Sequence, residues 1–179
     1  MVERTDTKTW GHRAAFVLLA FVIVVAALVP LDLRPQAWAG PDVLLAVTLA
    51  WVARKPSYLP VAVVAALFLM ADILYMRPPG LRPALVVILT EVIRRQNHEF
   101  RNMPLLVEWS TIAGGIVIIT ILNSLVLFLV MLPPAPAIMT LTQLITTILV
   151  YPLVLLVAHF VFGVTRTAPG ETGSKGHLL

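Results

Sequence analysis

Charge-free stretches dominate this chain, and their lengths outline its architecture before any single residue is weighed. The first runs from Ala14 to Leu31, and the sixteen uninterrupted apolar residues Ala14 to Val29 predict a membrane-spanning helix. That run exceeds an ordinary signal-peptide core and no small-x-small cleavage site follows closely, so it reads as a retained span. A short connection holding Asp32, Arg34, Pro35 and Trp38 follows, with Trp38 where an interfacial anchor belongs. Gly40-Pro41-Asp42 opens the second element, Val43 to Ala53. Proline in the first turn and an acid at the positive end of the helix dipole both favour initiation. Arg54-Lys55-Pro56 closes it after eleven residues, about 17 Å of helix. A bilayer core is ~30 Å thick, so this element is short, tilted, or bordered by thinned bilayer or protein.

The third span is predicted over Tyr58 to Met76, interrupted once by Asp72. The turn Arg77-Pro78-Pro79-Gly80-Leu81-Arg82-Pro83 follows, made rigid and sharp by its prolines and glycine. Ala84 to Ile93 is a short fourth element ending in Arg94-Arg95 and the polar stretch Gln96 to Asn102. From Trp109 through Thr165 no formal charge occurs, and a single helix of that length would extend roughly 85 Å. The run must therefore fold back, and Leu132-Pro133-Pro134-Ala135-Pro136-Ala137 is the hairpin. It separates a fifth span, Leu105 to Leu132, from a sixth, Ile138 to Val164.

Composition agrees with lipid as the solvent: 59% of residues are hydrophobic and 12% charged, and mean hydropathy is +0.93. The net charge of +4 comes from basic residues in small groups beside apolar runs, which speaks for membrane topology and against nucleic acid. With six crossings and a cytoplasmic N-terminus, ten of the thirteen basic residues fall on the cytoplasmic side, and Arg34, Arg77 and Arg82 remain outside. The expectation is an all-α integral membrane protein of a bacterial inner membrane, a compact six-transmembrane-helix bundle over 14–165. A cytoplasmic segment 1–13 and a disordered cytoplasmic tail 166–179 flank it. Pairing of the second and fourth elements as re-entrant halves would leave four full spans and the same orientation of the ends.

Candidate chemistry is sparse. There is no cysteine, and no Walker motif, nucleophile elbow, zinc motif or inverting carboxylate pair, so neither an enzyme nor a cofactor or metal site is expected. His159 stands alone in the sixth span and reads as a packing residue. Asp72, near the end of the third span, is either a proton or cation site or, the favoured reading, an interfacial partner of Arg77 or Arg82 that fixes the following turn. Glu91 has Arg94 at i+3 and Arg95 at i+4, an arrangement suited to helical ion pairs. Glu108 lies at similar depth, within expected reach of Arg94, Arg95 or Arg101, and a charge-neutralising lock is favoured over an acid/base relay. Ser110/Gly114 and Thr111/Gly115 permit close helix approach, including a homodimer built on Ser110, Gly114 and Gly115. Asn123 and Thr147 fall at matching depth, where they either lock the last two spans together or line a hydrophilic substrate pocket. Pro152 is expected to kink the sixth span and free the carbonyl of Ile148.

Taken in order, Gly40-Pro41-Asp42-Val43-Leu44-Leu45, Ala71-Asp72-Ile73-Leu74 leading into Arg77-Pro78-Pro79-Gly80-Leu81, Thr90-Glu91 with Arg94-Arg95, and Leu105 to Trp109 with Glu108 resemble the rod shape-determining MreD family, particularly its alphaproteobacterial branch. The likeness covers roughly residues 10 to 165 and departs from the broader family pattern in lacking a glycine just before Asp72. It implies a non-enzymatic scaffold of the elongation machinery. Such a protein binds the bitopic protein MreC directly and, with it, links MreB filaments to RodA and a class B penicillin-binding protein. The family is also similar in fold to the substrate-binding S components of energy-coupling-factor transporters, which supplies the rival expectation: a solute-binding subunit with an outward-facing polar pocket near Asp72.

Overall fold

Helices account for every charge-free run, and the shortest of them occupies the centre. The computed structural model describes residues 3–29, 39–96 and 104–162. Among these are six α-helices and no strand: α1 Glu3–Leu28, α2 Val43–Arg54, α3 Val61–Leu74, α4 Leu81–Arg95, α5 Leu105–Leu129 and α6 Ala137–Phe162. Three segments are long and apolar enough to cross a bilayer, Trp10–Leu28, Leu105–Leu129 and Ala137–Ala158. The expected connection through Trp38, the polar stretch with Arg101 and the tail 166–179 lie outside the described residues, as do the side chains of Arg4, Lys8 and His159.

The brevity of α2 has a structural reason. Every residue from Leu44 to Ala53 is buried, and α2 packs against α6, α4 and α1. A helix that is apolar on all faces belongs inside a bundle, so protein borders this element where lipid would border a longer one. Its one hydroxyl, Thr48, satisfies itself by donating to the Leu44 carbonyl at 2.8 Å. Phe16 of α1 tilts onto Trp51 with ring centroids 5.7 Å apart, and Phe16, Ala20 and Val24, each one turn after the last, form the face that α1 buries. The opposite face, with Leu18, Phe21, Val22 and Val25, is exposed, as are Ile118, Ile121, Leu125 and Phe128 of α5. This apolar exterior is far larger than water-soluble proteins present.

Contacts between helix ends show that successive helices alternate in direction. His12 stacks on Tyr58 at 4.7 Å, whereas further along α1 the Val24 carbonyl accepts the Tyr75 hydroxyl. One end of the bundle therefore gathers Arg54, Tyr58, Arg94 and Glu108. The other gathers Asp42, Asp72, Arg82 and the α5–α6 hairpin.

Two element boundaries differ from expectation. A 3-10 turn at Pro56–Tyr58 delays α3 to Val61, and α4 starts at Leu81 because Pro83 sits in the first turn, where its missing N–H is harmless. Both α3 and α5 end in the same way. Met76 (φ 52°) and Met131 (φ 57°) take the left-handed position that glycine usually fills. The Arg77 and Leu132 amides then reach back to the carbonyls of Asp72 and Leu127, at 2.9 and 3.0 Å.

Candidate functional site

At the Asp42 end two carboxylates hold three separate segments together. Asp42 caps α2, its Oδ1 accepting from the Leu45 amide at 3.0 Å, and its Oδ2 forms an ion pair with Arg82 of α4. The Asp42 amide donates to the hydroxyl of Thr147 at 2.8 Å, and the Ala39 amide to that of Thr142 at 3.0 Å, which straps the entry to α2 onto α6. Asp72 is almost fully buried and accepts from the Gly80 amide at 3.3 Å. Gly80 has φ 103°, a conformation that other residues rarely adopt, so the glycine of the Arg77–Pro83 turn is required. Asp72 thus fixes that turn, as expected, but by capping a backbone amide. The expected ion pair with Arg82 is corrected: Arg82 belongs to Asp42, whose approach across 40 positions is invisible in sequence. Arg77 faces the ring of Tyr75 at 5.1 Å.

Between this turn and the α5–α6 hairpin lies a cavity of about 360 Å³, lined on its polar side by Asp42, Asp72, Arg77, Arg82, Asn123 and Gln143. That volume is within the range of small-molecule sites, roughly 300–1,000 Å³. Pro78 lines its rim, and exposed Pro79 stiffens the turn behind it. Asn123 and Thr147 both line the cavity, but the predicted lock between them is not what holds α5 to α6, since Thr147 accepts from Asp42 and donates to the Gln143 carbonyl.

The Arg54 end is closed. Glu108 is buried, lies 3.6 Å from the guanidinium of Arg54 and accepts from the Tyr151 hydroxyl at 3.4 Å. The expectation that Arg94 or Arg95 would neutralise Glu108 is corrected: Arg94 donates to the Leu59 carbonyl at 2.6 Å, and both arginines pair with Glu91 at 3.4 Å on the surface of α4. Arg54 and Glu108 are far apart in sequence, and only the central position of α2 brings them together. Nearby, the Trp109 indole donates at 2.9 Å to the carbonyl of Ile148, the group that Pro152 leaves without its helical partner.

The small residues of α5 separate into two faces. Gly115 is buried, and a Cβ there would lie 2.6 Å from Leu89, so it permits the close approach of α4 and α5 within the chain. Ser110 and Gly114 are exposed and a Cβ on Gly114 would meet nothing. Of the three residues expected at a homodimer face, Gly115 is therefore taken up by packing within the chain, and Ser110 and Gly114 are exposed.

Fold and site together define a helical protein of membrane character, locked at one end by a buried acid–arginine pair and holding a polar cavity at the other. No protein-family model, curated protein or solved structure matches the chain.

Proposed function

We propose that this chain is a non-enzymatic membrane scaffold of the MreD type. It crosses the bacterial inner membrane six times with both termini cytoplasmic, binds MreC, and through it associates with MreB, RodA and a class B penicillin-binding protein. The observation that carries this reading is the convergence of the motifs behind the resemblance. Gly40-Pro41-Asp42 meets the Arg77–Pro83 turn in the Asp42–Arg82 pair, Asp72 caps that turn, and Glu108 of the Leu105–Trp109 motif closes on α2. Short connections leave the described chain no soluble domain with which to act, so its contribution is to position a partner. Ser110 and Gly114, with exposed Leu106 and Ile118 along the same helix, are where a partner's transmembrane helix can approach closely.

Affinity purification from the native membrane in detergent, with mass spectrometry of what co-purifies, tests this reading. Stoichiometric recovery of MreC, reduced by Gly114→Leu with the fold retained, is the expected result. Recovery of an energy-coupling ATPase with its transmembrane subunit would overturn it in favour of the solute-binding reading, for which the polar cavity beside Asp72 would be the site. The absence of cysteine makes topology directly testable. Ala135→Cys should react with an impermeant maleimide from the periplasmic side, and Lys55→Cys only after the inner membrane is breached.

A further inference from the structure

The cavity at the Asp42 end continues sideways. Thr120, Ser124, Thr140 and Leu144 line both it and a second, apolar depression of about 400 Å³, which follows the outer seam of α5 and α6 past Leu125 and Phe128. Both of those side chains are exposed on the apolar exterior. The polar groups inside the cavity divide into used and unused. The carboxylates are engaged, Asp42 by Arg82 and the Leu45 amide, Asp72 by the Gly80 amide. Arg77, by contrast, has no carboxylate within ion-pair distance, and the side chains of Asn123, Ser124 and Gln143 make no hydrogen bond, among the described residues. The half-buried side chains of Asn123, Ser124 and Gln143 are therefore available to bond an occupant of the cavity in place of solvent.

An occupant that engages all of these groups brings acceptors for a guanidinium, polar atoms for two amides, and an apolar part for the seam. We propose that the cavity and seam bind one membrane lipid with a phosphate-bearing head group. The phosphate lies against Arg77, head-group or ester oxygens bond Asn123 and Gln143, and one acyl chain lies along α5 and α6 past Leu125 and Phe128. Guanidinium and phosphate match in bidentate geometry, which favours phosphate over an uncharged head. The lateral opening selects a lipid over a water-soluble solute, which has no use for an apolar seam. This assignment does not depend on which protein partner the chain binds.

Native mass spectrometry of the intact, detergent-purified protein tests the proposal, with dioleoyl phosphatidylglycerol, dioleoylglycerol and inorganic phosphate as probes. The wild-type protein should retain the phosphatidylglycerol roughly tenfold more than dioleoylglycerol, the worth of a charge-assisted contact. Arg77→Gln and Asn123→Leu should each abolish most of that preference. Ser124→Trp, which plugs the junction of cavity and seam, should exclude both lipids, whereas Leu18→Ala, on the exposed face of α1 away from the cavity, should leave retention of both unchanged. Asn123 makes no bond within the protein, so its variant keeps the test valid if Arg77→Gln fails to fold. Equal retention of the two lipids, unchanged binding in Asn123→Leu, or displacement of phosphatidylglycerol by millimolar inorganic phosphate would each overturn the proposal, the last by making this a free-anion site.

Discussion

The two ends of the bundle use the same chemistry, a carboxylate held by an arginine from a distant helix, with different results. At the Arg54 end the pair is sealed: the side chains of Arg54 and Glu108 are 10% and 2% exposed, and the Tyr151 hydroxyl donates to Glu108. At the Asp42 end the corresponding pair, Arg82 and Asp42, is 23% and 14% exposed and borders a cavity. The same end carries both methionines in left-handed backbone conformation, Met76 and Met131, and both helix-ending motifs that need them. The closed end holds its carboxylate and arginine out of solvent, whereas at the open end Arg77, Asn123 and Gln143 line the cavity without an ion pair or side-chain hydrogen bond among the described residues. A buried pair alone marks a structural lock; unused donors beside a cavity mark a place where something else binds.

The largest separation of the two ends should come from breaking each pair. Glu108→Leu strands the Arg54 guanidinium in a sealed site, and loss of one partner of a buried pair costs about 3–5 kcal/mol. Thermal unfolding in detergent should show a large destabilisation, substantially recovered by adding Arg54→Leu, because the pair can be replaced by apolar packing of similar volume. An undiminished melting temperature in the single variant would show that Glu108 is not sealed as described. Gly115→Val comes next. A Cβ there already collides with Leu89, and overpacking costs about 1–3 kcal/mol. Leu89→Ala should relieve that loss, which distinguishes collision from loss of helix propensity.

Asp42→Asn probes the open end and should cost less, about 1 kcal/mol, because asparagine still caps α2 and the lost pair is partly solvated. If it destabilises as strongly as Glu108→Leu, the contrast between a sealed and an open end fails.

The legible and illegible parts of this fold divide by distance along the chain. The helices follow from charge-free runs and the Pro-rich hairpin, and the Glu91 pairs from i+3 and i+4 spacing. The brevity of α2 was visible as a puzzle with several answers, and only packing selected burial in protein. Partners such as Asp42 with Arg82 and Glu108 with Arg54 are set by which helix ends meet, which periodicity does not carry. Met76 and Met131 give no sequence signal because the position they fill normally shows glycine or asparagine. The freed Ile148 carbonyl was predictable from Pro152, but not that Trp109 would occupy it. Asn123 and Gln143 stood out as polar positions. That they line one cavity without a bond inside the protein emerges only once the helices are packed.

The smallest effect belongs to the pair that sequence reads most easily. Glu91 lies on the surface of α4 with its side chain 37% exposed, and Arg95 is 79% exposed. Solvent screening and the entropy of holding long side chains reduce such i+4 pairs to a few tenths of a kcal/mol. Arg94 shares Glu91 but keeps its bond to the Leu59 carbonyl when the acid is removed. Glu91→Gln should therefore move the melting temperature by about 1 °C or less at low salt, and by nothing measurable near 0.5 M salt, where the Debye length falls to a few ångströms. A loss approaching that of Glu108→Leu would mean that Glu91 supports something other than its own helix. The surface of α4 near Arg94 and Arg95 would then join Ser110 and Gly114 as a place where a partner docks.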